Sequence, residues 1–318
     1  MTTSSVRGLI AGLVLLSWTS GCAAEQLDRS AFEPTYEQQF STAAIPASFG
    51  TSYPEMRTCY YYGSQNQNAD QPLSARFTAR TYGGINNVMV DSVYLPGALT
   101  PKVEDGWLCI DAYPLDEQQA LTAGQGTRTF ASAVVTTQGK FAQAYGYFEI
   151  RATLPAVSGT WPAFWLLPVV KTKENGGRLA EIDVFEHYGA PRTLISKNKP
   201  VIIDRVGRPF STLHYLGSEG KEVSKSNSRE QSQASTPRLD LAVPHTFGVL
   251  WTPTLFTFYC DDAQVFQTPN PGVADPHYMV VNLDVSPNAG PINVADFSNP
   301  STPVRFAVDW MRAWSIKP

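Results

Sequence analysis

Glu181-Ile182-Asp183-Val184-Phe185-Glu186 places three carboxylates within six residues, with only Ile, Val and Phe between them. On an extended strand Glu181 and Asp183 point to one face and Ile182 and Val184 to the other. Strict alternation would put Glu186 on the apolar face, an expensive place for a charge. One extra residue bulged out near Val184–Phe185 returns Glu186 to the side of Glu181 and Asp183. Two carboxyls flanking a bond can cleave a glycoside: at a separation of about 5 Å one attacks the sugar and the other protonates the leaving oxygen. Four strand steps, with the bulge discounted, span about 13 Å between Cα atoms. Two Glu side chains leaning inward over a concave strand can close that gap. Crowding also raises at least one pKa, because like charges resist joint ionisation. The competing readings are a solvated edge-strand face and a calcium site, but the EF-hand spacing and its Gly are absent.

Trp161 and Trp165 precede the row. An indole face matches the C–H face of a pyranose, and its N–H can donate to a hydroxyl. Four residues apart on a strand, the two share a face. Trp161, nearer a loop, is the better cleft candidate; Trp165, between Phe164 and Leu166, fits cleft or core. His187 directly follows Glu186 and lies either in the site or beneath it. His245 and His277 stand at strand entries and read as structural. A Ser esterase is disfavoured, because no Gly-x-Ser-x-Gly elbow occurs.

The elements that must hold these groups are short apolar runs separated by Gly, Pro, Asn and Asp from about Val88 onward. Trp107–Ile110, Ala131–Thr136, Gly146–Leu154, Thr246–Trp251, Leu255–Cys260, Tyr278–Val285 and Arg305–Arg312 have strand length, with β-branched and aromatic residues and alternation in several. Glu117 to Leu121 is at most a helical turn. Many short strands with turn punctuation imply an all-β sandwich or barrel. Residues 217–240 are rich in Ser, Lys, Glu and Gln and nearly free of apolar residues, which predicts a long exposed loop or insertion.

Residues 1–24 read as a targeting segment: Arg7, then an apolar run from Leu9 to Trp18, then Thr19-Ser20-Gly21-Cys22-Ala23-Ala24. Cleavage before Cys22 would give a lipid-anchored N-terminus, which would be the sole membrane attachment; cleavage near Ala24 would release the chain. Either way export is expected, to the periplasm, the outer membrane or the medium. Residues 25–84 form an arm and first strands, and residues 85–318 one catalytic domain. The 318 residues carry a net charge of −4, which argues against nucleic acid as a partner. A monomer is expected. Cys59, Cys109 and Cys260 allow one disulfide in an oxidising compartment, or buried free thiols in the apolar runs of Cys109 and Cys260.

Gly146-Tyr147-Phe148-Glu149-Ile150-Arg151-Ala152, then Gly159-Thr160-Trp161-Pro162-Ala163-Phe164-Trp165-Leu166-Leu167-Pro168, then the acid row, resemble glycoside hydrolase family 16. Glu-x-Asp-x-x-Glu is similar to its bulged, laminarinase-like branch. His245–Pro253, Met279–Leu283 and Val308-Asp309-Trp310 extend the resemblance over about residues 85–318. It implies a β-jelly roll of two curved antiparallel sheets with a concave cleft. It also implies a retaining mechanism with Glu181 as nucleophile, Asp183 as its assistant and Glu186 as general acid/base, and no cofactor for catalysis. His214, in Thr212-Leu213-His214-Tyr215, resembles the strand that carries a cleft His, although a satisfied core His fits equally. Asp309 matches an acid that in the family often binds a structural calcium. The implied activity is endo-cleavage of a polysaccharide, β-1,3- or mixed β-1,3/1,4-glucan. The alternatives are a bacterial exopolysaccharide of succinoglycan type, another galactan, or transglycosylation on the same scaffold. A non-catalytic carbohydrate-binding module is disfavoured because all three acids are present.

Overall fold

The computed structural model describes residues 27–58, 85–92, 95–123, 128–169, 180–196, 199–228 and 238–317. The targeting segment, Cys22 and Cys59 lie outside these residues. The strands begin with β1 (Phe32–Gln39), β2 (Asn87–Met89), β3 (Lys102–Glu104), β4 (Trp107–Pro114), β5 (Phe130–Ser132) and β6 (Val134–Thr136). They continue with β7 (Gly146–Thr153), β8 (Thr160–Pro168), β9 (Glu181–Glu186), β10 (Arg192–Ser196), β11 (Lys199–Ile203) and β12 (Phe210–Leu216). The last are β13 (Glu222–Ser226), β14 (His245–Trp251), β15 (Leu255–Cys260), β16 (Ala263–Pro269), β17 (His277–Val285) and β18 (Val304–Ile316).

Two large sheets result. The ten-stranded sheet runs β16-β15-β14-β7-β18-β4-β5-β2, with β1 also on β18 and β3 on β4. The six-stranded sheet runs β13-β12-β9-β8-β17-β6 and carries the acids. Pairing is antiparallel except between β2 and β5. Alternation builds the layer between the sheets. In β4, Leu108, Ile110 and Ala112 point inward; in β7, Phe148, Ile150 and Ala152 do the same. They join Phe164 and Leu166 of β8, Ile182, Val184 and Phe185 of β9, and Met279, Val281 and Leu283 of β17 in one buried cluster. Phe185 spans the layer, with its ring 4.3 Å from Phe247 and 5.9 Å from Phe306 of the ten-stranded sheet.

Three local expectations are refined. The N-terminal arm becomes a sheet strand from Phe32, pairing with β18 from Phe32↔Ile316 to Gln39↔Trp310. The helical turn at Glu117 extends to Ala123, because Asp116 and Gln119 cap each other's backbone N–H groups at 2.7 and 3.2 Å. The polar stretch 217–240 is not all loop. A turn closed by the Gly217 N–H donating to the Lys221 carbonyl at 2.8 Å returns the chain as β13 beside β12.

On the outer face of the larger sheet, Glu149 is buried, 1% exposed, and accepts two hydrogen bonds from Arg29 at 2.6 and 2.9 Å and one from the Tyr147 hydroxyl at 2.8 Å. Gly248 lies beneath that phenol, and a Cβ there would sit 2.1 Å from its oxygen. Arg29→Ala leaves a buried carboxylate without its cation. It should lower the unfolding free energy in urea by about 3 kcal/mol; a loss within about 0.5 kcal/mol would show that the pair does not hold the arm.

Candidate active site

Both neighbours of β9 register the bulge. Against β12, Phe210 faces Glu186 and Thr212 faces Asp183, two residues against three. Against β8, Phe164 faces Phe185 and Trp165 faces Asp183, one step against two. The extra residue is Val184, whose carbonyl accepts from the Ser211 hydroxyl at 2.8 Å. Ile182, Val184 and Phe185 all enter the core, and the three acids share the other face. Asp183 is 4% exposed, while Glu181 and Glu186 are half-buried.

Glu186 is gripped from both sides. Trp161 Nε1 donates to its Oε1 at 2.9 Å, and Thr212 Oγ1 donates to its Oε2 at 3.5 Å. Thr212 Oγ1 in turn lies 3.1 Å from Ser226 Oγ on β13. Burial, then the charges of Asp183 and Glu181, push the Glu186 pKa from 4.5 up to about 8. This group therefore holds a proton at neutral pH, as a general acid must.

His214 lies on the acid face, opposite Glu181 in the ladder. Its Nε2 lies 3.3 Å from Asp183 Oδ2; its Nδ1 lies 3.0 Å from Glu222 Oε1 and 2.8 Å from Ser224 Oγ. Burial opposes its charge, but the bond to Asp183 and the surrounding acids win and raise its pKa to about 9. Glu181, Asp183 and His214 offer ligand atoms within 4.8 Å of one another. In the structure the His214 Nε2 faces Asp183 and its Nδ1 faces Glu222 and Ser224.

Trp161 sits edge-on to Tyr188, ring centroids 5.1 Å apart, and is half-buried beside Glu186. Trp165 is corrected. It shares the acid face but is 1% exposed, packed with Met89, Val134 and Tyr278, and its Nε1 donates to Asn282 Oδ1 at 2.7 Å. No ring face is left for a sugar. His187 is corrected likewise. It is fully buried, Nε2 accepts from the Gly207 N–H at 3.1 Å, and burial lowers its pKa to about 4. It supports the floor as a neutral ring and does not bind substrate. Asp309 is paired with the Arg151 guanidinium. A side chain thus already faces the carboxylate to which the resemblance gave calcium. Cys109 and Cys260 are buried free thiols. Thr212 went unnoticed in the sequence, yet its spacing of two from His214 was a signal that both face one side.

The shifted acid has a stability signature. The pKa of Glu186 is higher folded than unfolded, so its contribution to stability falls as pH rises from about 4.5 to about 8. The raised pKa of His214 adds stability that is complete below about 6.5 and lost through about 9. Glu186→Gln removes the first dependence. The Tm difference, variant minus wild type, should therefore be larger at pH 8 than at pH 5; a difference independent of pH would mean that Glu186 ionises normally.

The family model described as "Glycosyl hydrolases family 16" matches residues 111–312. Endo-1,3-1,4-beta-glycanase EglC of Rhizobium meliloti (strain 1021) is 32% identical over 295 residues, covering 91% of this chain and 53% of its own length. The chain thus spans about half the length of that relative. A beta-glucanase of Rhodothermus marinus is 32% identical over 156 residues, 47% of this chain and 46% of its own. The X-ray structure of the laminarinase from Rhodothermus marinus superposes with a TM-score of 0.59 at 21% identity, over 90% of this chain and 98% of that one, which is a likeness of fold. With the family match spanning most of both sheets and the bulged acid row in place, the chain belongs to glycosyl hydrolases family 16.

Proposed function

We propose that the chain is a retaining endo-glycoside hydrolase of a β-linked polysaccharide, with β-1,3- or mixed β-1,3/1,4-glucan as substrate. One observation carries this reading. The bulge at Val184 brings Glu186, protonated to about pH 8, onto the face of Glu181 and Asp183. The choice of glucan is supported by the names of the relatives, endo-1,3-1,4-beta-glycanase and beta-glucanase.

Glu181 attacks the anomeric carbon while Glu186 gives its proton to the glycosidic oxygen. The C–O bond breaks and the sugar is held on Glu181 as an ester. Glu186, now a carboxylate, takes a proton from water. The resulting hydroxide attacks the same carbon, which releases Glu181 and restores both groups. The charge on Glu186 thus changes at each step, and the grip of Trp161 and Thr212 keeps its two oxygens aimed in both states. The protonated His214 beside Asp183 offsets the negative charge of the row. Trp161 offers its ring to a sugar next to the bond that breaks.

Glu181→Gln should lower turnover by about 10⁴-fold or more with the fold intact by circular dichroism; near-normal activity would remove Glu181 as nucleophile. Curdlan, laminarin, lichenan, agarose and succinoglycan form the substrate panel. Release of oligosaccharides from the glucans and not from agarose or succinoglycan is expected. The first-formed product should keep the anomeric configuration of the substrate in proton NMR, whereas inversion would mean that the two glutamates do not act in covalent relay.

A further inference from the structure

Beyond the three acids, the site has an outer support that the family resemblance does not supply. It lies in the polar stretch after β12. The ladder places His214 opposite Ser224, and Thr212 opposite Ser226, so β13 turns Glu222, Ser224 and Ser226 toward the acid side. Leu213 faces Lys225 on the alternate side. The next charges in the turn, Glu219 and Lys221, pair with each other at 2.9 Å. The charged groups facing the His214 ring are therefore Glu181, Asp183 and Glu186 from β9 and Glu222 from β13.

We propose that Glu222 is a positioning residue for the acid row: from the outer strand it fixes the His214 ring as a doubly donating imidazolium whose other nitrogen serves Asp183. A neutral imidazole has one N–H and one lone pair. Between two carboxylates, Asp183 at 3.3 Å and Glu222 at 3.0 Å, a lone pair would face an anion on one side. Only the protonated ring satisfies both, with Nε2–H donating to Asp183 and Nδ1–H shared between Glu222 and Ser224 Oγ. Against burial, the raised pKa of His214 comes from Asp183, Glu181 and Glu186; the contact at the other nitrogen rests on the distances alone. The ring cannot rotate without losing both ends, so its charge stays against the row through the catalytic cycle. Glu222 itself is largely exposed and meets the site through the His214 ring. It acts through His214. The kinetic consequence rests on the hydrolase reading; the positioning itself does not.

The test is a titration of the four histidine rings by nitrogen and proton NMR on the full chain, with His214 assigned from the resonance lost in His214→Asn. In Glu222→Gln the His214 titration should move down by about half a pH unit or more. Glu222→Asp, which keeps the charge, should move it less. The loss of kcat/KM relative to wild type should grow by about twofold to threefold between pH 5.5 and pH 9.5, across the range in which the ring loses its proton. A titration unchanged in Glu222→Gln would overturn the proposal, as would a loss of activity equal at every pH, the mark of a hairpin that merely packs. Should wild type cleave no glucan, the hydrolase reading fails, and the ring titration still decides the role of Glu222.

Discussion

One surplus residue governs the site. Val184 gives β9 a step that neither neighbour shares, and without it Glu186 would point into the core. A bulge interrupts a ladder and frees a carbonyl, so something must hold it. Two contacts do. The Ser211 hydroxyl takes up the Val184 carbonyl, and Phe185 reaches across the layer to Phe247 and Phe306. Burying a ring of that size contributes about 2–3 kcal/mol, enough to offset a weakened hydrogen bond or two. The apolar layer thus does more than fasten two sheets together; it sets which way the acids look.

Around that step, chemistry is distributed over three strands of one sheet. β8 supplies Trp161 to one oxygen of Glu186, and β12 supplies Thr212 to the other. β12 also supplies His214 to Asp183, and β13 stands behind both with Ser226 and Ser224. One hydrogen-bonded chain therefore runs from the outer strand through His214 to Asp183, while the Thr212 hydroxyl divides its hydrogen between Ser226 and the acid that keeps a proton. The separation of the two across a single sheet lets neighbouring carboxyls differ in charge although they share a face.

Much of this was legible in the sequence where spacing carries a physical demand. Three acids among Ile, Val and Phe demand a bulge, and the apolar runs Gly146–Leu154 and Trp107–Ile110 demand strands, which the structure buries on both faces over most of their length. Elsewhere the signal was weak for identifiable reasons. Trp161 and Trp165 share a face by period, but period says nothing of what covers a face, and Met89 and Val134 come from distant positions to close over Trp165. His187 is adjacent to an acid in sequence, yet it passes beneath the sheet, where Gly207 receives it. β1 is exposed along most of its length and shows little apolar period, so its pairing with β18 is set by a register invisible in its own residues. Ser224, Ser226 and Glu222 sit in a stretch of ordinary polar composition. Only the hairpin gives them a direction.

The two cysteines have a quieter consequence. Burial lifts the Cys109 thiol to about 11 and the Cys260 thiol to about 12. Nucleophilicity toward alkylating reagents and oxidants resides in the thiolate, which is scarce at both positions while the strands are paired. Each sulfur faces solvent as an ordinary thiol only when its sheet opens. Their rate of capture by a small electrophile is then a clock for that opening, ticking separately for the strand that carries Cys109 and the one that carries Cys260.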